Sequence, residues 1–251
     1  MPFVRWAAAW LVLVCVVFGG GARAAEVTVL CSNALESVLR EVVGPYEAAS
    51  GDRLVLTIAS SAPLKARIEG GAAFDVAVLT PGMIAELVGA GVVDGASVRT
   101  LAVANIGIAV RLGAKRPDIG TAEAVKASLL ATASVASSAA GQSRVGFLAA
   151  LKTLGIADEV NAKTLIVTAG STGAAVARGE AEMAVQLMPE LLAVAGLDVV
   201  GALPAGLQMP VVLTAGVGVA SKVGGAAGAF VGYLGSAEVV RVIRAKGMEP
   251  G

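Results

Sequence analysis

The stretch LTIASSAPLKARIEGGAAFDVAVLT, Leu56 to Thr80, decides how the rest of the chain is read. Leu54, Leu56 and Ile58 alternate with other residues, as in a short buried strand. Ala59-Ser60-Ser61-Ala62 is a turn of small residues, and Pro63 sits comfortably in the first turn of a helix. Leu64 and Ile68 continue at helical spacing until Gly70-Gly71 stops the helix. Phe74 to Leu79 then reads as a second buried strand. A strand that feeds two serines into a helix start leaves free backbone N–H groups, a favourable helix dipole and two hydroxyls pointing the same way. Such a turn is suited to a small anion.

The same plan recurs on either side. Glu26 to Cys31 is strand-like. Asn33 followed by Glu36 has the spacing of a capping box before a helix with Leu35, Val38, Leu39, Val42, Val43 and Tyr46 on one face. Thr80-Pro81 opens another helix. Ala102 to Arg111 and Met209 to Ala220 are long apolar strands. Ser134 to Ser138 is a strand leading into Ala139 to Arg144, and Lys163 to Thr168 is another leading into Gly170-Ser171-Thr172-Gly173. Glu182 to Leu187 is a strand followed by a helix at Pro189, and two helical stretches, 225–234 and 236–246, finish the chain. Strands alternating with helices predict an α/β protein with a mostly parallel sheet. Four strand ends deliver small polar turns, at Ser32-Asn33, Ser60-Ser61, Ala140 to Ser143 and Ser171-Thr172. Ligands of open α/β sheets bind at such ends, although the same residue types also serve as plain helix caps.

Composition excludes several functions. The 251 residues are 56% hydrophobic but only 4% aromatic, so the core is built from small side chains. Lys and Arg number 19 against 19 Asp and Glu, with no basic stripe, and nucleic acid is not an expected partner. There is no histidine, which removes the commonest metal ligand and any Ser-His or Cys-His nucleophile. No cofactor or metal is expected. Mean hydropathy is +0.80, yet the apolar runs after the first are short and broken. Met1 to Ala24 is the exception. Arg5, an apolar run from Trp6 to Phe18 and the exit Ala22-Arg23-Ala24 have the form of a secretory signal peptide. Cleavage before Ala25 or Glu26 removes two arginines and no acid, leaving a mature chain two charges negative. Cys15 goes with the signal. Cys31 remains without a disulfide partner and reads as a buried small hydrophobe.

At LTIASSAPLKARIEGGAAFDVAVLT, NIGIAVRLGAKRPDIGTAEAV and VARGEAEMAVQLMPELL the chain resembles the molybdate-binding-protein-like group of periplasmic solute-binding proteins. The resemblance runs over essentially the whole mature chain. It implies the type II binding-protein fold: two α/β lobes, joined by a hinge of two crossing strands, with the ligand in the cleft. Lobe one would be 25–105 with 216–251, and lobe two 106–215. In that group neutral hydroxyls and backbone N–H groups hold molybdate or tungstate. Carried over residue by residue, the second-loop serine falls on Ser61 beside Ser60. The first-loop serine falls on Ala34, with Ser32 and Asn33 adjoining. The third turn matches Ala140-Gly141, with Gln142 and Ser143 following, and the fourth aligns around Ser171. The group's tyrosine falls near Leu187, where Gln186 is the nearby polar side chain. Arg111 ends a crossing strand near the cleft and Arg144 sits in the third turn; in the cleft either would suit a carboxylate, and otherwise each is a solvated surface arginine.

The resemblance implies a monomeric periplasmic receptor that takes a small anion, an oxyanion or an organic carboxylate, to an ABC permease in the inner membrane. The fold group also includes aconitate-isomerase-like enzymes. That alternative needs a base to move a proton beside a carboxylate, and the nearby acids Glu36 and Asp75 both have simpler structural explanations. An enzyme is therefore ranked below a receptor.

Overall fold

The computed structural model describes residues 24–251; the expected signal peptide lies outside the described residues except for Ala24. Two sheets organise the chain. The first is built from β1 (Glu26–Ser32), β2 (Arg53–Ala59), β3 (Val76–Leu79), β4 (Arg99–Ala104), β10 (Val211–Val217) and β11 (Met248–Pro250), in the order β11-β4-β10-β3-β1-β2. The second holds β5 (Ile106–Arg111), β6 (Val135–Ser138), β7 (Thr164–Val167), β8 (Met183–Leu187) and β9 (Leu197–Ala202), in the order β7-β6-β8-β5-β9. The helices are α1 (Glu36–Ser50), α2 (Ser61–Glu69), α3 (Pro81–Gly89), α4 (Ala122–Ala131), α5 (Gln142–Leu154), α6 (Ala157–Asn161), α7 (Thr172–Ala177), α8 (Met188–Leu192), α9 (Gly224–Leu234) and α10 (Ala237–Ala245).

The side-chain alternation of β1 shows why the first sheet carries helices on both faces. Val27, Val29 and Cys31 join the core with Val38, Leu39 and Phe230 of α1 and α9. Leu30 points the other way, among Leu64 and Ile68 of α2 and Ile84 and Leu87 of α3. Tyr46 packs edge-on against Phe230 with ring centroids 5.0 Å apart. In the second sheet one face packs on Phe147 and Leu151 of α5. The other carries small residues, Ala109, Ala136, Ala184 and Ala175. These let α7 approach closely enough that a Cβ on its Gly173 would lie 2.7 Å from Leu197 Cδ1. Cys31 is buried and free, as its place in an apolar strand implies, and burial pushes its thiol well above the usual range.

The chain passes between the sheets twice. It leaves the first at Asn105, between β4 and β5, and returns between Ala202 and Val211, because β10 lies wholly in the first sheet. Gln208 ties the two passages together. Its Oε1 accepts from Ile106 N at 3.0 Å, and its Nε2 donates to the carbonyls of Ile106 and Leu203 at 2.8 and 2.9 Å.

Three local expectations need correction. The sheets are mixed, since β10 runs antiparallel to β3 and β4, and β5 antiparallel to β8 and β9. Strands that carry the chain across and back must oppose the strands they join. The capping box does not form: a 3-10 turn, Asn33–Leu35, precedes α1, and Glu36 pairs with Arg40 one helical turn on. Finally, the chain ends in β11 rather than a helix, with Met248, Glu249 and Pro250 paired along β4.

Candidate functional site

Parallel strands in both sheets point their carboxyl ends at one cleft of about 350 Å³. From the first sheet, β1 delivers Ser32 and Asn33, and β2 delivers Ser60 and Ser61 at the start of α2. From the second, β6 delivers Ala140, Gly141, Gln142 and Ser143 at the start of α5, and β8 delivers Gln186. All nine are residues expected at the site from sequence. Pro63 and Met83 give part of the lining an apolar character.

Two helices aim their N-termini into this space from opposite sides. In α2 the first intrahelical bond is Leu64 N to Ser60 O, and in α5 it is Val145 N to Gly141 O, so the amide groups before them are free to donate. Pro63 has no N–H, which leaves Ser61 and Ala62 as the α2 donors. Gly141 turns the chain into α5 at φ +97°, a conformation that side chains with a Cβ resist.

The hydroxyls are also spare. Where serine or threonine acts as a true cap in this chain, its oxygen is engaged: Thr121 accepts from Ala124 N, Ser171 from Ala174 N and Ser236 from Val239 N. The caps at the cleft, Ser32 and Ser60, make no such bond. Ser32, Ser61 and Ser143 are nonetheless buried, with 4%, 8% and 7% of their surface exposed. Among the described residues the buried side-chain oxygens without a partner are those of Ser37 and Thr214, so the cleft serine hydroxyls stay open to the cleft, where a ligand can bond them.

Two of the expected residues lie elsewhere. Ser171 is at the start of α7 with its hydroxyl spent on Ala174 N, and of that turn it is Gly170 that reaches the cleft. Arg111 is exposed at the far end of β5, beside Gly179. Its placement follows from strand direction: β5 is antiparallel to β8, so Ile106 meets Leu187 at the cleft end and the chain then runs away from it. Arg144 is half-buried on α5 outside the lining, with Nη1 buried and unpartnered. The acids Glu36 and Asp75 are structural. Asp75 accepts from Thr28 N at 2.8 Å and from Ser221 Oγ at 2.6 Å.

Sequence reasoning missed Glu190. It is half-buried in α8, lines the cleft, and accepts a hydrogen bond from Asn33 Nδ2 at 2.8 Å. That bond joins the first sheet's loops to the second's. Burial pushes the Glu190 carboxyl up to about 7, against hydrogen bonds from the Leu187 backbone and the Gln186 side chain, which favour the ionised form, and the charge of Glu36 adds to the rise. Gln186 in turn accepts from Thr172 Oγ1 at 2.7 Å and Thr172 N at 3.0 Å. Two bonded pairs therefore meet at the cleft, Thr172 with Gln186 and Asn33 with Glu190. The sequence signal for Glu190 was the four-residue spacing of Gln186 and Glu190 across a strand-to-helix turn. Among the described residues, no lysine or arginine lines the cleft. It offers neutral donors and one carboxyl that can gain or lose a proton near neutrality.

A family model described as "Bacterial extracellular solute-binding protein" matches residues 27–249. The chain belongs to that family. Among curated relatives, this solute-binding protein is 33% identical over 232 residues to an aconitate isomerase of Pseudomonas sp., an alignment covering 89% of the chain and 87% of the relative. Among solved structures it matches the periplasmic molybdate-binding protein of Azotobacter vinelandii at 20% identity with a TM-score of 0.73, over 89% of this chain and 98% of that one. The sulfate-binding protein of Mycobacterium tuberculosis matches at 18% identity and a TM-score of 0.71, over 90% and 87%. The solute-binding protein thus has the two-lobed fold of the molybdate-binding-like group, with a mixed α/β architecture.

Proposed function

We propose that this solute-binding protein captures a small anion in the cleft, an oxyanion or an organic carboxylate, and passes it to an ABC permease of the inner membrane. The observation that carries the reading is the pair of facing helix N-termini, α2 and α5, with serine hydroxyls left uncommitted and no lysine or arginine among the described residues that line the cleft. Fixed neutral donors of this kind replace an anion's hydration shell and spread its charge. Export through the Met1–Ala24 segment to the periplasm and action as a monomer complete the proposal. For the lobes, the membership of β10 in the first sheet supports a return point between Ala202 and Val211 rather than at 215/216. Calorimetry of the mature protein against molybdate, tungstate, sulfate and tricarboxylates is the test. Tight binding of one class is the expected result, and silence across the panel would overturn the receptor reading.

Glu190 and the 33% identical relative favour one second reading, an isomerase acting on a tricarboxylate in the same cleft. A carboxyl near pH 7 suits a group that must take a proton from carbon beside a carboxylate and return it. Ultraviolet absorbance during incubation with cis- or trans-aconitate tests it. Turnover that is lost in Glu190→Gln supports it, and a flat trace with the wild type sinks it.

A further inference from the structure

We infer that Glu190 makes the cleft select anions that bring a hydrogen of their own, such as a hydrogen phosphate or a hydroxy acid, over fully deprotonated anions such as sulfate. The inference rests on the anion-receptor reading and deepens it. Ser32, Ser60, Ser61 and Ser143 and the first amides of α2 and α5 can all donate to a ligand. Glu190, once ionised, can only accept. A carboxylate has about four lone-pair directions. Asn33 occupies one of them at 2.8 Å, and Glu190 lines the cleft with acceptor capacity left for a ligand.

An anion seated on the donors therefore meets the Glu190 carboxylate with no lysine or arginine in the described cleft lining to separate them. Two like charges in a narrow cleft repel unless a proton lies between them, as in any shared-proton carboxylate pair. The proton has two sources. A ligand with a P–OH or C–OH group supplies it and keeps its affinity when Glu190 is ionised. A fully deprotonated ligand needs Glu190 itself to take a proton from solvent, and so binds only the protonated form.

The surroundings leave this titration to Glu190. Of the elements packed on α8, the 3-10 turn Asn33–Leu35 leads into Glu36, whose charge opposes that of Glu190. β8 and α7 carry no ionisable side chain. β5 carries only Arg111 and β9 only Asp198; Lys246, beside the Gly247 that packs on Met188 and Leu192 of α8, pairs with Glu41, and Arg144 follows Ser143 in the first turn of α5; none of the four lines the cleft.

The experiment is calorimetry on the mature protein from about pH 6.5 to 9, with two pairs of probes: sulfate against inorganic phosphate, and tricarballylate against citrate. In each pair the second member keeps a hydroxyl hydrogen throughout the upper half of that range. For sulfate and tricarballylate, affinity should fall about tenfold per pH unit once Glu190 ionises, while phosphate and citrate change by less than about threefold between roughly pH 7.5 and 9. In Glu190→Gln the steep pH dependence and the preference for phosphate and citrate should both vanish, and Glu190→Asp should keep them. Equal slopes in wild type and Glu190→Gln overturn the inference. So does a wild type that does not prefer the hydrogen-bearing member of either pair at about pH 8.5. If any probe binds in a Ser61-dependent way but with Glu190-independent slopes, the receptor reading stands and only this inference falls. If none of the four binds, this inference falls, and the receptor reading is decided separately by molybdate and tungstate in the wider panel.

Discussion

Replacing Glu190 by glutamine should make the folded protein less sensitive to pH, and the size of the change follows from the site. Burial holds the carboxyl at about 7 against an ordinary value of 4.5. The unfolded chain ionises first as pH rises, so the folded state holds the extra proton between those values. Stability from this group is therefore lost as pH climbs, and the loss is complete above about 7. The gap corresponds to roughly 3 kcal/mol in all, of which roughly 2 kcal/mol falls between pH 5 and 8. Glutamine keeps an oxygen for Asn33 and has no charge to desolvate, so its variant lacks this component. Urea unfolding of both proteins at about pH 5 and 8, in buffers free of sulfate, phosphate and carboxylates, measures it. The stability difference between wild type and Glu190→Gln should shift by roughly 2 kcal/mol in favour of the variant on going to pH 8, or roughly 4–8 °C in Tm for a chain of this size. Parallel pH profiles would refute the assignment of a strained, desolvated carboxyl at this position.

Other variants probe the same geometry. Ser61→Ala should weaken anion binding by about 1–3 kcal/mol, the loss of one hydrogen bond to a charged group in a buried site, seen by calorimetry with unchanged unfolding; unaltered affinity would reduce Ser61 to a structural role. Arg111→Ala should leave the affinity for every anion within about threefold of wild type, because the side chain is exposed at the wrong end of β5, where screening leaves little of its charge at the cleft. Gly141→Ala should destabilise the fold by about 1–2 kcal/mol, because alanine must enter a φ of +97°, and should also weaken anion binding by tilting the first amides of α5; thermal melts and calorimetry check the two effects.

Most of the architecture could be read from residues because its signals are local. Ser60-Ser61, Pro63 and Gly70-Gly71 bracket α2 between two apolar strands, and the structure puts α2 at Ser61–Glu69. What could not be read is direction. An apolar run such as Ile106 to Arg111 announces burial but not whether its neighbours run with it or against it, and the antiparallel pairing of β5 with β8 is what carries Arg111 away from the cleft. The three residues of β11 include Pro250 and show no alternation, so only the edge offered by β4 makes them a strand.

The site divides in the same way. Its donors were visible because one rule, small polar residues where a strand becomes a helix, picks out Ser32, Ser61 and Gly141 alike. The carboxyl was not, because an acid in the first turn of a helix is ordinary and favourable in water. Glu190 becomes unusual only when Asn33, 157 positions away, closes over it. This difference bears on what the cleft can do. Neutral donors alone make a receptor that holds any anion of the right size, and nothing in them can react. Adding one carboxyl near its titration point makes binding responsive to protons and brings the scaffold within one step of proton-transfer chemistry. Receptor and isomerase then differ in where the ligand's acidic hydrogen lies relative to Glu190. Under the proposed readings, oxygen there would let the residue select and carbon there would let it react, so the ligand rather than the fold would decide between them.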